Sequence, residues 1–325
     1  MIRVGIVGGS GYTAGELIRL LLNHPDTTIE FVFSTSKAGE AITAVHKDLI
    51  GETDLTFCSR ITPSVDVLFL CTGHGNSTEV LKQHTISEQT KIIDLSRDFR
   101  LSGQNRFGHR SFIYGLPELN KEAIKEGENI ANPGCFATVI QLALLPLAHD
   151  SALTNDVHIH GITGATGAGS SLSDTTHFSW RANNVSVYKG LNHQHISEIQ
   201  QSLNQLYSSF GNKLNFVPVR GNFSRGIFIS AYTNYEGNLA EAQSLFTEFF
   251  KESPFVYHSH QSIYLKQVVN TNKCLLHLEK ENGQLLITAA IDNLLKGASG
   301  QALQNMNLMF GLEEDAGLHL KPTHF

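Results

Sequence analysis

Short apolar runs alternate with turns and helical segments along the first part of the chain. The first run is Ile2 to Val7, and Ile29 to Phe33, Val65 to Cys71 and Lys91 to Leu95 follow it. Runs of this length that are nearly continuously apolar are typical of parallel strands covered on both faces. Helical segments such as Glu16 to Leu22 separate them, so the pattern predicts an α/β domain with a parallel sheet.

The pattern changes in the second half of the chain, after Pro146. Residues Val157 to Ile162 alternate between apolar and polar side chains, as a strand with one exposed face does. Cys274 to Leu278 and Leu285 to Asp292 are two further candidate strands, and a small-residue helix is expected from Asp292 to Met309. The change of pattern predicts a second domain.

The composition agrees with a globular protein of two domains. The chain has 325 residues, of which 41% are hydrophobic and 17% are charged, and this length exceeds one ordinary core. A net charge of −6 without a Lys/Arg cluster argues against a nucleic-acid or membrane partner. The first residues enter a strand at once, unlike a signal peptide, and no apolar run approaches membrane-spanning length. Four cysteines without CxxC spacing are typical of a reduced, cytoplasmic protein.

A glycine-rich turn joins the first strand to the first helix. Gly8, Gly11 and Gly15 follow the strand at a spacing looser than GxGxxG. Glycines here let the backbone approach a pyrophosphate, which the helix N-terminus attracts. A tight turn without a ligand is the alternative. The turn predicts a dinucleotide site with contacts from Gly8, Ser10, Gly11, Tyr12 and Thr13.

The segment after the second strand favours NADP over NAD. It contains Ser34, Ser36 and Lys37, where an NAD site usually has an Asp or Glu for the ribose 2′-hydroxyl. Hydroxyl groups and a cation suit a 2′-phosphate better. The turn Thr72–Asn76, after the third strand, is expected on the cofactor side. Its His74 either contacts the ligand or is a polar loop residue.

The sequence Asn132-Pro133-Gly134-Cys135 precedes an apolar helix that is expected to end at Pro146. This spacing puts Cys135 at or next to the helix N-terminus. Unpaired N–H groups and the helix dipole lower the pKa of a thiol there, and the same N–H groups can hold an oxyanion. A small buried thiol is the alternative.

Two histidines precede an amphipathic helix. Imidazole titrates near neutrality and can pass a proton to a substrate oxygen, so His193 or His195 is expected to be the acid/base partner of Cys135. His158 and His160 lie two apart on one strand. Without a nearby third ligand they are weak evidence for a metal, and no metal site is predicted.

Candidate sites for an anionic substrate occur at three places. Arg100 belongs to a pair of arginines around an aspartate, and the geometry of a guanidinium group matches that of a carboxylate or phosphate. A structural ion pair between arginine and aspartate is the alternative. Arg225, just before a long strand, is the second candidate. The small-residue segment Thr163–Ser171, which includes Gly167, either wraps a phosphate with its N–H groups or is a flexible linker.

A nucleotide domain, an activated cysteine and a histidine suit one reaction. The thiolate attacks an acyl phosphate, phosphate leaves and a thioester remains. Hydride from NADPH gives an aldehyde, and the histidine protonates the oxygen of the collapsing thiohemiacetal.

Ordered motifs run along nearly the whole chain: Gly8–Tyr12 with Gly15–Leu17, Asp94–Ser96, Asp98–Arg100, Tyr114–Glu118, Asn132–Cys135, and Asp292–Leu294 with Lys296–Ala298. Together they resemble the N-acetyl-γ-glutamyl-phosphate reductases of arginine biosynthesis. The resemblance implies that Cys135 is the nucleophile and that one of His193 and His195, preferably His195, is the acid/base. Within these motifs, Ser96 and Asn132 are expected near the substrate and Asn293 near the cofactor.

The resemblance also implies a fold like that of aspartate-semialdehyde dehydrogenase. A Rossmann domain would span residues 1–134 and be completed by the C-terminal helix, 297–325. An α/β catalytic domain with a mixed, largely antiparallel sheet would span 135–296. The family implies NADP(H), a small acyl-phosphate substrate, inorganic phosphate, a cytoplasmic setting and a homo-oligomer, either dimer or tetramer.

The chain departs from the family pattern near the expected substrate. An arginine between the two histidines is replaced, and another arginine appears elsewhere. The differing positions are Gly73, Arg97, Thr163, Thr166, Gln194 and Ser197. They leave the acyl group open between acetyl and the bulkier, more acidic succinyl.

Three other functions are alternatives. Aspartate-semialdehyde dehydrogenase has the same chemistry on a shorter substrate. A non-catalytic NADPH-binding sensor would not need an activated cysteine. A zinc hydrolase would use four histidines: His158, His160, His193 and His195.

Overall fold

The structure is a computed structural model that describes residues 1–73 and 75–324. The chain divides into two compact units. Unit 1 comprises Met1–Pro133 and Ala298–His319, and unit 2 comprises Gly134–Gly297 and the residues from Leu320 onward. Each unit therefore consists of two separate stretches of chain.

The C-terminal tail differs from the prediction, which gave all of 297–325 to the first domain. From Leu320 onward the tail belongs to unit 2. Three hydrogen bonds join it to unit 2. The N–H of Thr323 donates to the carbonyl of Val269 (3.1 Å), the Asn270 side chain donates to the carbonyl of Lys321 (3.1 Å), and the Tyr264 hydroxyl lies 3.4 Å from Nδ1 of His324. The tail sequence carries no pattern that would reveal this pairing.

Unit 1 begins with alternating strands and helices, as predicted. Its elements are β1 Ile2–Val7, α1 Tyr12–Leu22, β2 Thr27–Phe33, α2 Ile42–Val45, β3 Phe57–Cys58, β4 Val67–Leu70, α3 Ser77–Gln83, β5 Lys91–Asp94, β6 Arg106–Phe107, β7 Arg110–Ser111, β8 Ile113–Tyr114, α4 Pro117–Glu126 and β9 Asn129–Ala131.

Seven of these strands form a parallel sheet in the order β3-β2-β1-β4-β5-β9-β8. The strand order reverses at β1, because the chain moves outward to β2 and β3 and then returns to the other side of β1 at β4. Ligands of open α/β sheets bind beyond the carboxyl ends of the strands at such a point. The glycine-rich turn after β1 lies at this position.

Unit 2 contains α5 Cys135–His149, β10 Val157–Thr163, α6 Phe178–Arg181, β11 Ser186–Val187, α7 Ile196–Leu206, β12 Leu214–Arg220, β13 Ile227–Asn234, α8 Leu239–Phe249, β14 Val256–Ser259, β15 Cys274–Glu281 and β16 Gln284–Ile291. Its sheet has the order β11-β12-β10-β13-β16-β15-β14. Four of the six neighbouring pairs are antiparallel and two are parallel, which confirms a mixed, largely antiparallel sheet. Helix α5 packs on β13 and β16, α8 on β15, and α7 on α5.

Helix α5 does not end at Pro146, so that prediction is wrong. The helix continues to His149, and every residue from Phe136 to Ala148 is buried. Proline removes one N–H bond to the preceding turn, but only one turn follows it, and burial of the apolar side chains there offsets the loss.

The segment after β16 is also more complex than one helix from Asp292 to Met309. A π-helical turn spans Leu295–Ser299, and the α-helix proper, α9, spans Gly300–Met309. Short π-helical turns are frequent at functional sites.

Candidate active site

The turn after β1 requires glycine at two positions. Gly8 has φ +83°, and a Cβ there would lie 2.6 Å from the carbonyl oxygen of Cys71. A Cβ on Gly9 would lie 2.3 Å from the Val32 side chain. The N–H groups of both glycines donate to the carbonyl of Phe33, at 3.1 and 3.0 Å. The turn is therefore fixed against the carboxyl end of β2.

The N-terminus of α1 is open toward a ligand. Its N-cap is Gly11, which has no side chain to accept bonds from the first turn, and a Cβ at this glycine would approach nothing closer than 3.8 Å. The first N–H groups of a helix have no acceptor within the helix, so they can bind a phosphate group. Ser10, Tyr12 and Thr13 flank this opening, with Tyr12 exposed and the other two half-buried. The residues present therefore fit a dinucleotide.

The predicted 2′-phosphate contacts lie at the carboxyl end of β2. Ser34 is buried, Ser36 is exposed, and Lys37 is half-buried with its ammonium group 3.1 Å from Glu40. A surface pair of this kind is worth little, so the lysine can turn toward a phosphate at small cost. The predicted contact His74 lies outside the described residues.

Two carboxylates hold the turn that follows β4. Buried Asp94 accepts from the Ser77 hydroxyl (2.5 Å), and from the hydroxyl (2.8 Å) and backbone N–H (3.0 Å) of Ser96. Asp98 accepts from the N–H of Gly75 (2.7 Å). Burial raises the pKa of Asp94 to about 6, against the effect of its hydrogen bonds. The hydroxyl of Ser96, predicted to contact substrate, is thus committed to Asp94 within unit 1.

Arg100 and Asn132 support the backbone that leads to the cysteine. The Arg100 guanidinium is buried and donates from Nε to the carbonyl of Asn132 (2.8 Å) and from Nη2 to that of Leu95 (2.9 Å). The Asn132 amide donates to the carbonyl of Ala298 (3.0 Å) and accepts from Asn305 (3.1 Å). A substrate anion would have to share both side chains with these partners.

Cys135 is the first residue of α5, as predicted. The N-cap is Gly134, whose extended backbone (φ −72°, ψ 149°) starts the helix without a side-chain cap. Cys135 is half-buried. Gly297, in the π-helical turn, packs directly on it, because a Cβ on Gly297 would lie 2.9 Å from the Cβ of Cys135. The cysteine is therefore fixed from two sides.

His195 lies against the backbone that precedes Cys135. A Cβ on Gly134 would lie 2.3 Å from Nε2 of His195, so only glycine leaves room for this imidazole. Glu198, in the first turn of α7, accepts the N–H of Gly134 through Oε2 (3.0 Å), and its Oε1 lies 3.9 Å from the same imidazole nitrogen. One buried carboxylate therefore touches both the cysteine helix and the histidine.

Glu198 is a residue that sequence reasoning missed. It stands three positions after His195, and an acid in the first turn of a helix is ordinarily explained by the helix dipole alone. The signal that could have found it is the combination of an acid at this position with a histidine at the N-cap, in a chain that also has a helix-start cysteine.

His193 has different surroundings from His195. Its Nδ1 accepts the backbone N–H of His195 (3.2 Å), and its ring meets Phe136 and Phe216 edge-on at 5.8 and 5.3 Å. Burial, reinforced by the positive charge of Lys189, lowers the pKa of His193 to about 4. A histidine that stays neutral and accepts at Nδ1 orients its neighbour, which favours His195 as the acid/base.

Arg225 is neutralised within unit 2. Its Nε lies 3.1 Å from Oδ2 of Asp292, which is fully buried. Asp292 also accepts the N–H groups of Asn270 (2.7 Å) and Leu294 (2.8 Å), and so fixes the start of the π-helical turn. Arg225 therefore balances a buried charge, and a substrate carboxylate would compete with that pair.

The segment Thr163–Ser171 does not offer the predicted phosphate nest at its start. The N–H groups of Gly164, Ala165 and Thr166 donate to backbone carbonyls of residues 223–226, at 2.8–3.0 Å. That of Gly167 donates to Gly164 (3.3 Å). The segment is not a flexible linker either, since it forms a 3-10 turn over Ala165–Ala168.

Asn293 joins this segment to the strand after it. Its Oδ1 accepts the N–H of Gly226 (2.6 Å), and its Nδ2 donates to the Thr166 hydroxyl (3.0 Å). The side chain was predicted to bind the cofactor, but it can do so only by giving up one of these bonds.

The remaining cysteines and histidines differ from the Cys135 site. Cys71 is buried, and burial raises the pKa of its thiol to about 12, so it stays protonated. His158 is exposed and stacks on Tyr232 with ring centroids 5.1 Å apart.

Within 1–73 and 75–324, no three His, Cys, Asp or Glu side chains are grouped to hold a metal. No helix in those residues is long and apolar enough to span a membrane.

Comparison with known proteins agrees with both units. Residues 3–127 match the semialdehyde dehydrogenase NAD binding domain, and residues 135–293 match the semialdehyde dehydrogenase dimerisation domain. The structure of aspartate semialdehyde dehydrogenase II complexed with ASA from Vibrio cholerae superposes with a TM-score of 0.72 at 14% identity, over 96% of this chain and 98% of that one. Aspartate semialdehyde dehydrogenase with NADP from Candida albicans gives 0.70 at 12% identity, over 95% and 99%. At these identities the likeness concerns the fold alone.

Full-length relatives are far more similar in sequence. Proteins named N-acetyl-gamma-glutamyl-phosphate reductase from Christiangramia forsetii and Flavobacterium johnsoniae are 57% and 56% identical, over 100% of both chains in each comparison. The chain is therefore an oxidoreductase with the semialdehyde dehydrogenase fold that belongs to the N-acetyl-γ-glutamyl-phosphate reductase family.

Proposed function

We propose that this protein reduces an N-acyl-γ-glutamyl phosphate with NADPH to N-acyl-glutamate 5-semialdehyde and phosphate, a step of arginine biosynthesis. The observation that carries the proposal is the arrangement of Cys135 at the uncapped N-terminus of α5 with His195 and Glu198 beside it. The full-length similarity to reductases named for this substrate supports it.

The first half of the reaction uses Cys135 as the nucleophile. Its thiolate attacks the carbonyl carbon of the acyl phosphate, so a carbon–sulfur bond forms and the carbon–oxygen bond to phosphate breaks. N–H groups in the first turn of α5 stabilise the negative oxygen that develops beside the sulfur. Inorganic phosphate leaves, and a thioester remains on Cys135.

The second half of the reaction requires proton transfer at His195. NADPH, when bound, supplies a hydride to the thioester carbonyl carbon. His195 protonates the resulting oxygen and takes the proton back as the carbon–sulfur bond breaks, which releases the aldehyde and restores the thiolate. Glu198 accepts the N–H of Gly134 and stabilises the positive charge that the imidazole carries before the first of these transfers and after the second.

NADP(H) is proposed as the cofactor in preference to NAD(H). The N-terminus of α1 would hold the pyrophosphate, and Ser34, Ser36 and Lys37 would surround the 2′-phosphate. No acidic residue follows β2 directly, where a 2′-hydroxyl would need one. The fold neighbour with bound NADP supports the same choice.

We further propose that the enzyme works in the cytoplasm as a homo-oligomer, either dimer or tetramer. The family description of residues 135–293 as a dimerisation domain supports association, and four free cysteines suit a reducing compartment. The acyl group is acetyl, as in the names of the relatives, or succinyl, given the departures from the family motifs.

The proposed function is tested by running the reaction backwards. Reduction of NADP is followed with N-acetyl- and N-succinyl-glutamate semialdehyde, with and without inorganic phosphate, and with aspartate semialdehyde as the control. Phosphate-dependent reduction with an acyl-glutamate aldehyde is expected and identifies the acyl group. Activity on aspartate semialdehyde alone would contradict the proposed substrate, and no activity from folded, NADPH-binding protein would contradict the proposed reaction.

A further inference from the structure

Unit 2 has three arginines, Arg181, Arg220 and Arg225, and their surroundings differ. Arg225 pairs with Asp292, as described. Arg181 is buried and donates to the carbonyls of Thr175 (3.2 Å) and Arg220 (3.0 Å), so it holds backbone segments together. Arg220, the last residue of β12, was not among the sequence predictions, and its contacts are with the Tyr188 side chain and, at 3.5 Å, the carbonyl of Ala165.

We propose that Arg220 binds a carboxylate group of the substrate. The proposal rests on the function proposed above and names the residue that recognises the acidic part of the substrate away from the reacting carbon.

The first observation is the position of the Arg220 side chain. Its guanidinium carbon lies 4.8 Å from the ring centroid of Tyr188. Tyr188 links Arg220 to the candidate site, because its ring centroid lies 5.8 Å from that of His193, which in turn lies 4.6 Å from that of His195. Arg220 is thus connected through Tyr188 and His193 to the His195 imidazole, which lies against the backbone before Cys135.

The second observation is the absence of a countercharge. Among the described residues, no carboxylate lies within 4.0 Å of the Arg220 guanidinium, and its contact with the carbonyl of Ala165 is long, at 3.5 Å. Its positive charge and that of Lys189 both act on His193 and help to lower its pKa. The nearby carboxylate of Glu198 already accepts the N–H of Gly134. Two cations, Lys189 and Arg220, therefore act on the His193 imidazole against one carboxylate, Glu198, and an anionic substrate would reduce that excess of positive charge.

The third observation is that the guanidinium is held in place before any ligand arrives. Its backbone is fixed on both sides, because Arg220 pairs with Thr163 of β10 and with Ser186 of β11. The Tyr188 side chain contacts the guanidinium with its ring and is also its hydrogen-bond partner, so it restrains this planar fork while further N–H groups remain for a bidentate partner. A pre-positioned fork of this kind matches the two oxygens of a carboxylate.

The chemistry of the substrate distinguishes a carboxylate from the phosphate. The phosphate is joined through one oxygen to the carbon that Cys135 attacks, so it must lie beside the sulfur and the first turn of α5. The carboxylates of an N-acylglutamyl chain lie several bonds away from that carbon. Arg220, which is connected to His195 through Tyr188 and His193, is at a place that suits a carboxylate. Two sources share this chemistry: the α-carboxylate of the glutamyl group and the terminal carboxylate of a succinyl group.

The test compares Arg220→Ala and Arg220→Lys with wild type, using three aldehydes in the reverse reaction. N-acetyl-glutamate semialdehyde has the α-carboxylate, its N-succinyl counterpart has two carboxylates, and the α-carboxamide of the N-acetyl compound has none. Arg220→Ala is expected to raise KM for a recognised aldehyde by about 10- to 100-fold, the usual worth of a charge-assisted hydrogen bond. We expect kcat and the KM values for NADP and phosphate to stay within about 3-fold of wild type, and Arg220→Lys to recover part of the loss.

Comparison of the three aldehydes identifies which carboxylate is bound. If Arg220→Ala raises KM for the N-acetyl and N-succinyl aldehydes but not for the carboxamide, Arg220 binds the α-carboxylate. If KM rises for the N-succinyl aldehyde alone, Arg220 binds the succinyl terminus. Lys189→Ala is the matched control, because it removes an exposed positive charge from the same neighbourhood without the Tyr188 stack. It is expected to change KM by less than about 3-fold.

Other outcomes overturn the proposal. They are an equal rise in KM for all three aldehydes, an effect confined to KM for phosphate, or wild-type KM values in both Arg220 variants. Thermal unfolding of each variant controls for folding, and Arg220→Lys, which retains the charge and much of the chain, carries the test if the alanine variant does not fold. An inactive wild type would instead refute the proposed function on which this inference rests.

Discussion

Replacement of Glu198 by glutamine is expected to impair turnover more than stability. Glutamine keeps an oxygen that can accept the N–H of Gly134, now 3.0 Å from Oε2, but it removes the charge 3.9 Å from Nε2 of His195. A hydrogen bond to a charged group contributes about 1.5–3 kcal/mol and a neutral one about 0.5–1.5, so the free energy of unfolding should fall by about 1 kcal/mol.

The catalytic effect of Glu198→Gln comes from the lost charge. The imidazole of His195 carries a positive charge whenever it holds the transferred proton, and a buried carboxylate at this distance stabilises that charge. We expect kcat to fall by about 10- to 100-fold, which corresponds to about 1.4–2.8 kcal/mol, while KM and NADPH affinity stay within about 3-fold. Glu198→Ala should be less stable still, because it leaves the buried N–H of Gly134 without an acceptor.

The assay is steady-state NADP reduction, combined with urea unfolding. Glu241→Gln is a matched control, because Glu241 also stands three residues after a helix N-cap and accepts a backbone N–H, from Asn238 at 2.8 Å. It is exposed and belongs to α8, outside the candidate active site, so its substitution should leave kcat unchanged. Wild-type kcat in Glu198→Gln, or equal losses in both glutamine variants, would refute the role of the charge.

Three further predictions concern the cysteine and unit 1. Cys135→Ser should abolish turnover but leave the NADPH dissociation constant, measured by fluorescence titration, within about 2-fold; loss of binding in folded protein would contradict the separation of roles. Gly297→Ala should lower kcat at least about 10-fold, because the new Cβ would lie 2.9 Å from that of Cys135. The control Gly211→Ala, whose Cβ would meet nothing closer than 3.9 Å, should leave kcat unchanged, and equal kcat values in the two variants would contradict this packing. Burial raises the pKa of Asp94 from 3.8 to about 6, so between these pH values the folded state binds a proton that the unfolded chain has lost. The free energy of unfolding should therefore fall by ~3 kcal/mol as pH rises across that interval, and Asp94→Asn should flatten the dependence in urea titrations; an unchanged slope would refute it.

Local signals in the sequence are sufficient to predict the two turns that carry the candidate site. The glycine turn after β1 and the Pro-Gly step before Cys135 each lie between a strand and an apolar helix, and both were found where such patterns put them. These signals depend on backbone requirements within a few residues. The end of α5 was misjudged because Pro146 is a strong local stop signal, whereas burial of the last helical turn is a property of the folded unit.

Contacts between distant segments were beyond the reach of the sequence. Glu198 meets Gly134 across 64 positions, and the turn that contains Thr166 pairs with carbonyls 58 or more residues away. The same composition of small residues fits a phosphate nest, a linker or a paired turn, so only the folded chain decides among them. For the arginines, residue type predicted anion binding, but the partner that each one already has determines which remains available.

The most direct test of the account is the thioester on Cys135. Folded enzyme is mixed with NADP and the preferred acyl-glutamate semialdehyde in the absence of phosphate, quenched in acid, and measured by intact-protein and peptide mass spectrometry. The account predicts one N-acylglutamyl group per active chain, on the peptide that contains Cys135, formed together with one equivalent of NADPH and released on addition of phosphate. No adduct despite phosphate-dependent turnover, or an adduct on another residue, would contradict it.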